Sequence, residues 1–475
     1  MNFISPGFAL FLSIVFLLYW FVFKNTARLQ NILLLVASLV LYAFFNWRFL
    51  GLLVFSTLLN FYIGKLIENK KDRKAGKWLL AGGLLVNLGV LLYFKYFNFF
   101  SSGSILQVEN ILIPLGISFY TFQLIGYLID IYNEEIKSCK DLLVFSCYVV
   151  YFPKIASGPI EPAKKFLPQI GVKRSFDYAL ATDGMRQILW GLFTKIVVAN
   201  NCASFAQPVF ENHEQYPGST LLLASFFYLF QVYCDFSGYS NIAIGISKLF
   251  GIQLSRNFNA PFFSTTIREY WQKWHITLTS WMMKYVFTPL SFSLRYLKKA
   301  GILLSIIITF VTVGLWHGTK WNFIVFGLLH GVYFIPQMLF PKKNNERLSH
   351  RHTFFLNLAR FSKMFGLFFL VMFTCIFFGS RSLTEAFGFI NTVFSGSVFS
   401  SVVWPPFTSA FKTFITALFI VTLLATEWIQ HPRSHELQLD HIKSPYLRRS
   451  IYIAIILAIL LFGSVMHINF LYSRF

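Results

Sequence analysis

Long apolar runs recur along the whole chain, and they constrain the fold more than any other feature. Residues 6–23, 31–45, 49–63, 78–94, 302–316, 321–339, 365–378 and 451–468 contain no Asp, Glu, Lys or Arg at all. A helix that crosses a bilayer needs about 20 predominantly apolar residues. In hydrocarbon a lone segment satisfies its backbone N–H and C=O groups only as a helix. The expectation is an all-α, polytopic membrane protein with about eleven transmembrane helices. Only 13% of residues are charged, against about 25% in a soluble domain. No polar stretch is long enough to carve out a soluble domain, so 1–475 reads as one integral-membrane domain.

The charges that remain are unevenly placed. Lys and Arg number 41 against 19 Asp and Glu, a net charge of +22. In a soluble chain that excess would point to nucleic acid. Here the basic residues fall in short loops between apolar runs, which is the positive-inside pattern and excludes the nucleic-acid reading. Loops 65–77 and 342–363 are basic and are expected in the cytoplasm, whereas 101–110 and 379–409 carry one Arg or Lys between them and are expected outside. The partner implied by this pattern is the lipid bilayer of a cell (cytoplasmic or inner) membrane. The first run, at 3–23, lacks a basic leader and a small-residue cleavage site, so it reads as a retained helix. Cys139, Cys147, Cys202, Cys234 and Cys375 form no C-x-x-C pair, and no His, Cys, Asp or Glu cluster has metal-ligand spacing. They read as small core residues, and no metal or bound cofactor is expected.

Several stretches break the simple pattern. Residues 145–151 are too short to span and run into Phe152-Pro153-Lys154-Ile-Ala-Ser-Gly158-Pro159-Ile-Glu161-Pro162, which three prolines keep from being helical. Such backbone beside apolar sequence reads as a re-entrant segment or as a surface loop. Asp235, after an apolar run, is an intramembrane acid or the cap of a new helix before Ile242. Residues 267–287 read as one long amphipathic helix with Arg268, Trp271, Gln272, His275, Thr279 and Met282 on a shared face. Finally, Gly314-Leu-Trp316-His317-Gly-Thr-Lys-Trp321-Asn322 joins two apolar arms. The first arm, 302–316, spans roughly 22 Å as a helix, short of the roughly 30 Å hydrocarbon core. His317 is therefore expected within the membrane, where an ionisable group reads as functional. His330 is thirteen residues further on, about 220° away around a continuous helix, and reads as structural.

Taken together, these stretches resemble a known family. Tyr270-Trp271-Gln-Lys-Trp274-His275-Ile-Thr-Leu278-Thr-Ser-Trp281 resembles the W-H-x-S-L-x-x-W signature of the membrane-bound O-acyltransferase (MBOAT) family, with Thr277 where the signature has Ser. Leu315-Trp316-His317-Gly318, Trp321 and Gly327-Leu-Leu-His330-Gly331 resemble its second signature, which carries the family's catalytic histidine. Phe152-Pro153-Lys154 with Ser157-Gly158-Pro159-Ile160, Tyr233-Cys-Asp235-Phe-Ser-Gly238-Tyr239 and Ser255-Arg256-Asn257-Phe258 resemble further family stretches. Phe94-Lys-Tyr-Phe-Asn-Phe99, Gly116-Ile-Ser-Phe-Tyr-Thr-Phe122 and Arg381-Ser-Leu-Thr-Glu-Ala386 are similar to the bacterial alginate O-acetyltransferase (AlgI-like) branch. The resemblance implies an MBOAT fold, with re-entrant segments around a central tunnel and a motif-bearing core at residues 110–340. It also implies transfer of an acyl group from a coenzyme A thioester to a hydroxyl.

The residues can support that chemistry. Histidine takes up a proton near neutral pH, so His317 is the expected general base. His275 would orient the acceptor or donate to the thioester carbonyl as charge develops there. Trp316 and Trp321 would wall the site against water, with Asn322, Trp271, Arg268 and Asp235 as substrate-binding or tunnel-lining candidates. Arg268 and Lys273 are candidates to hold a nucleotide-bearing donor, acetyl-coenzyme A. No Cys or Ser nucleophile adjoins either histidine in sequence, which favours direct transfer over an acyl-enzyme. The alginate-branch likeness implies export of the acetyl group to a polysaccharide through a separate extracytoplasmic acetyltransferase. Two alternatives stay open: an MBOAT acting on teichoic acid, lipid or protein, and a transporter with a proton-relay histidine.

Overall fold

A computed structural model describes residues 3–70, 72–97, 112–340 and 353–464, with side chains from 358 onward in the last segment. The expected outer loop 101–110 and half of the basic loop 342–363 lie outside the described residues, and 353–363 belong to the helix Thr353–Gly379. Those described form helices and connecting loops, with no strand among them. Among the described residues, nine helical stretches are long and apolar enough to cross a membrane, Ala27–Asn69 counted as one, and Pro6–Val22 is a shorter apolar helix. Ala27–Asn69 itself holds two helices of 20 residues each, Ala27–Asn46 and Leu50–Asn69, so with Pro6–Val22 the described helices accord with the expected count of about eleven. Ile117–Tyr132 has 16 residues, and Leu142–Val150 has 9.

The chain divides into two compact units, at Leu192/Phe193, Ser237/Gly238 and Arg256/Asn257. In the first, Ile117–Tyr132 is buried along nearly its whole length. Leu50–Asn69 and Arg73–Leu91 are tied by the Asn60 and Asn87 side-chain amides, which exchange hydrogen bonds of 3.1 and 2.7 Å. Tyr178–Leu192 crosses the last turns of Gly218–Leu249 where a Cβ on Gly184 would stand 2.6 Å from the Gly245 carbonyl oxygen. Arg174 is buried as well, its guanidinium donating to Tyr19 Oη and Asn31 Oδ1 and to three backbone carbonyls. Residues 151–162 are non-helical, as the prolines require, and all but Ala156 and Pro162 are buried, so this is not a surface loop. Phe152 N–H donates to Ser38 Oγ, and Lys154 Nζ sits 4.7 and 4.6 Å from the Tyr148 and Phe166 ring centroids.

The second unit holds the two signature stretches, and here three expectations change. Gly218–Leu249 is a single helix of 32 residues, so Asp235 caps nothing. It lies mid-helix and pairs with Lys195, both side chains buried, which removes the cost of an isolated charge. The helix expected over 267–287 is interrupted: Ile267–Lys273 and Ile276–Met282 are separate, because His275 takes a left-handed backbone conformation with φ +44° and ψ +52°. Lastly, the arm expected over 302–316 begins earlier, as Lys298–His317, and its 20 residues make roughly 30 Å. It is therefore long enough to cross, and His317 ends it.

Candidate functional site

Two helix interruptions set the site. At the first, the left-handed residue is a histidine, one of the types that tolerate this region, at a cost of about 1–3 kcal/mol that the surroundings must offset. A helix start leaves backbone N–H groups without partners, and Asn257 supplies them. Its carbonyl accepts from Ile276 N–H at 2.8 Å, and its Oδ1 accepts from Thr277 N–H at 3.3 Å and Thr277 Oγ1 at 2.9 Å. Asn259 N–H donates back to the Lys273 carbonyl at 3.0 Å. His275 Nδ1 lies 3.1 Å from Asn257 Oδ1.

The second interruption follows His317. Lys298–His317 stops at Gly318, and Trp321–Val332 returns against it. The two helices approach closely because glycines face backbone: a Cβ on Gly314 would lie 2.2 Å from the Phe323 carbonyl oxygen, and one on Gly327 would lie 2.2 Å from that of Phe310. Asn322 anchors the turn by donating to the Phe377 and Ser380 carbonyls at 3.0 and 2.6 Å.

These breaks bring His275, Trp316 and His317 together. The Trp316 indole is 5.7 Å from the His275 ring and 4.9 Å from the His317 ring, both edge-on. Phe236 stands 4.5 Å from His275. Phe378 and Phe326 stand 5.1 and 5.8 Å from His317. All three central residues are buried, with exposures of 1%, 4% and 3%. His275 lies between short helices outside the nine candidate spans. Burial lowers its pKa from 6.5 to about 3, with a hydrogen bond to its own backbone opposing, so the ring is neutral near pH 7. A neutral imidazole in this buried aromatic enclosure keeps a lone pair that can accept a hydrogen bond near pH 7.

The other candidates fall in different places. Trp271 is buried against Phe310 and His330, at 4.9 and 5.0 Å. Phe326 touches both His330, at 4.7 Å, and His317. The two histidines therefore flank one ring, an arrangement hidden as long as the arms were taken as one continuous helix. Trp321 is 62% exposed and Arg268 is exposed, so neither lines the buried cluster. Gln272 is exposed too, and Lys273 pairs with Glu269 at 2.8 Å. Asp235 is committed to Lys195. Two residues of this region were missed as site candidates, Asn257 and Lys195. Asn257 was visible as part of Ser255-Arg256-Asn257-Phe258, and Lys195 as a lone cation in the apolar run 193–199. Among the described residues, no three His, Cys, Asp or Glu side chains group as a metal site, and all five cysteines are free.

The profile of the membrane-bound O-acyltransferase family matches residues 83–380, which includes both interrupted helices. The chain belongs to the MBOAT family. Among curated MBOAT-like relatives, it is 34% identical over 336 residues to the probable alginate O-acetylase AlgI of Azotobacter vinelandii, covering 68% of this chain and 66% of that protein. It is 32% identical over 357 residues to the peptidoglycan O-acetyltransferase of Helicobacter pylori, covering 68% and 67%. It is 29% identical over 248 residues to the teichoic acid D-alanyltransferase of Bacillus subtilis, covering 50% and 62%. The chain thus spans about two thirds of the length of these relatives. His275 and His317 both lie within the matched residues.

Proposed function

We propose that this multi-pass membrane protein is an O-acyltransferase that takes an acetyl group from a cytoplasmic coenzyme A thioester and delivers it across the membrane for O-acetylation of an extracytoplasmic polysaccharide. The observation that carries the reading is the pair His275 and His317 on one buried indole, Trp316. In the proposed reaction His317 takes the proton of the accepting hydroxyl. The hydroxyl oxygen bonds to the acyl carbon, the carbon–sulfur bond breaks, and the proton leaves with the thiol. His275 works from its own side of the indole, orienting the acceptor or steadying the carbonyl oxygen. The aromatic enclosure limits hydrolysis of the thioester. Family membership favours a transferase over a proton-relay transporter.

The acceptor class rests on the relatives, whose names cover alginate, peptidoglycan and teichoic acid. A polysaccharide acceptor fits the alginate and peptidoglycan relatives, at 34% and 32% identity. The basic loops favour the cytoplasm as the donor side. The outer loop 379–409 is short and apolar, which favours hand-off to a separate extracytoplasmic acetyltransferase over direct grip on a long glycan.

Sealed vesicles of known orientation test this, with acetyl-coenzyme A supplied on one face only. Donor on the cytoplasmic face yields acetylated partner or acceptor on the other, and His317→Ala lowers transfer by about 10²–10⁴-fold with normal insertion. Near-normal transfer by His317→Ala sinks the base assignment. Product confined to the donor side sinks the export reading, and substrate flux without thiol release restores the transporter.

A further inference from the structure

We infer that Asn257 is a positioning residue that holds the His275 imidazole with its proton on Nδ1, so that Nε2 serves the substrate as a hydrogen-bond acceptor. This rests on the proposed transferase reading of the site, yet its central claim can be measured without turnover.

Asn257 Oδ1 faces three groups. One is the Thr277 backbone N–H at 3.3 Å, a group that can only donate. The side-chain atom of Asn257 turned toward it must therefore be the carbonyl oxygen, since the amide NH2 in that place would set donor against donor. The Thr277 hydroxyl, 2.9 Å from the same oxygen, donates as well. His275 Nδ1 lies 3.1 Å from this oxygen, so Nδ1 carries a hydrogen. In a neutral imidazole the other nitrogen then holds the lone pair. The ring has little freedom to escape this choice. Its backbone is fixed in the left-handed region, Asn257 also holds the next residue through Ile276 N–H, and Phe236 and Trp316 pack on it at 4.5 and 5.7 Å.

The tautomer separates the two roles open to His275. Donation to a developing oxyanion needs a hydrogen on the nitrogen that faces the substrate. With the hydrogen committed to Asn257, Nε2 accepts instead. It accepts from an O–H of the acceptor other than the one that reacts and so holds the acceptor in place, while the reacting hydroxyl gives its proton to His317 and the carbonyl oxygen is served by other donors. Asn257 touches no reacting atom and works only through His275.

The test uses the full chain in lipid nanodiscs with ¹⁵N-labelled histidine, His275 being assigned by comparison with His275→Gln. The expected spectrum at neutral pH shows Nδ1 of His275 in the protonated range and Nε2 in the unprotonated range. The reverse pattern overturns the inference. In parallel, thioester turnover is followed against pH. Asn257→Asp keeps an acceptor oxygen and adds a negative charge that favours the imidazolium, so the acid limb of kcat moves to higher pH. Asn257→Leu removes the acceptor and lowers kcat by about 10–100-fold, the loss typical when the group orienting a functional histidine is removed. An unshifted acid limb in Asn257→Asp, or unchanged kcat in Asn257→Leu, also overturns it. If the wild-type chain shows no thioester turnover, the function reading has failed and the nitrogen spectrum alone decides the inference.

Discussion

His275 stands at φ +44° because a residue outside its own helices, Asn257, holds the chain on the far side of the break. Burial of this ring has a consequence for stability. Its pKa falls from 6.5 to about 3 in the folded protein, so between those values the unfolded chain binds a proton that the folded chain refuses. The contribution of the neutral ring is fully present above about pH 6.5 and is lost as pH falls toward 3. Thermal unfolding in detergent between pH 7 and pH 4 should therefore fall more steeply for wild type than for His275→Gln. Equal slopes would mean that the ring takes up its proton alike in the folded and the unfolded chain. At this scale the sequence named the residue, since a histidine in a W-H signature is visible. Its hydrogen-bond partner, 18 residues earlier, carries no local sign of the pairing.

Helix by helix, the legible quantity was apolarity and the illegible one was continuity. Asp235 followed by Ser, Gly and Ser looks like the start of a helix, because in isolation a carboxylate serves best as a cap. Lys195, 40 residues away, neutralises it and lets Gly218–Leu249 run through. Removing one partner of a buried pair leaves an uncompensated charge and costs about 3–5 kcal/mol. Lys195→Met should lower the thermal midpoint accordingly, and the double variant Lys195→Met/Asp235→Leu should recover most of the loss. A double variant as unstable as the single would show that the pair has a role beyond charge neutralisation. The helices at His317 show the reverse error. There the first arm was measured too short, because its polar start, Lys298 and Lys299, looked like loop, whereas two lysines at an end can reach the interface from within a helix.

At the scale of the whole molecule, the charge pattern proposes an orientation that can be tested. Lys70 lies in the basic loop assigned to the cytoplasm, and Phe399, 92% exposed, lies in the loop assigned to the outside. In a background without native cysteines, Phe399→Cys should react with a membrane-impermeant maleimide on intact cells, and Lys70→Cys only after permeabilisation. The opposite pattern would reverse the donor side. The sequence by itself determined the all-helical membrane class and the family, because hydropathy is summed locally along each helix and the signature motifs are read in chain order. Only the tertiary structure decided that the helix breaks at His275, that Gly218–Leu249 runs unbroken past Asp235, and that His275 and His317 share the Trp316 indole while Trp321 and Arg268 face away. Each of these depends on a group supplied from elsewhere in the chain: the Asn257 carbonyls, the Lys195 ammonium, the Phe323 backbone against Gly314. Hydrogen bonds and close packing act across space, and a pattern of apolar residues along the chain carries no record of which distant group will arrive.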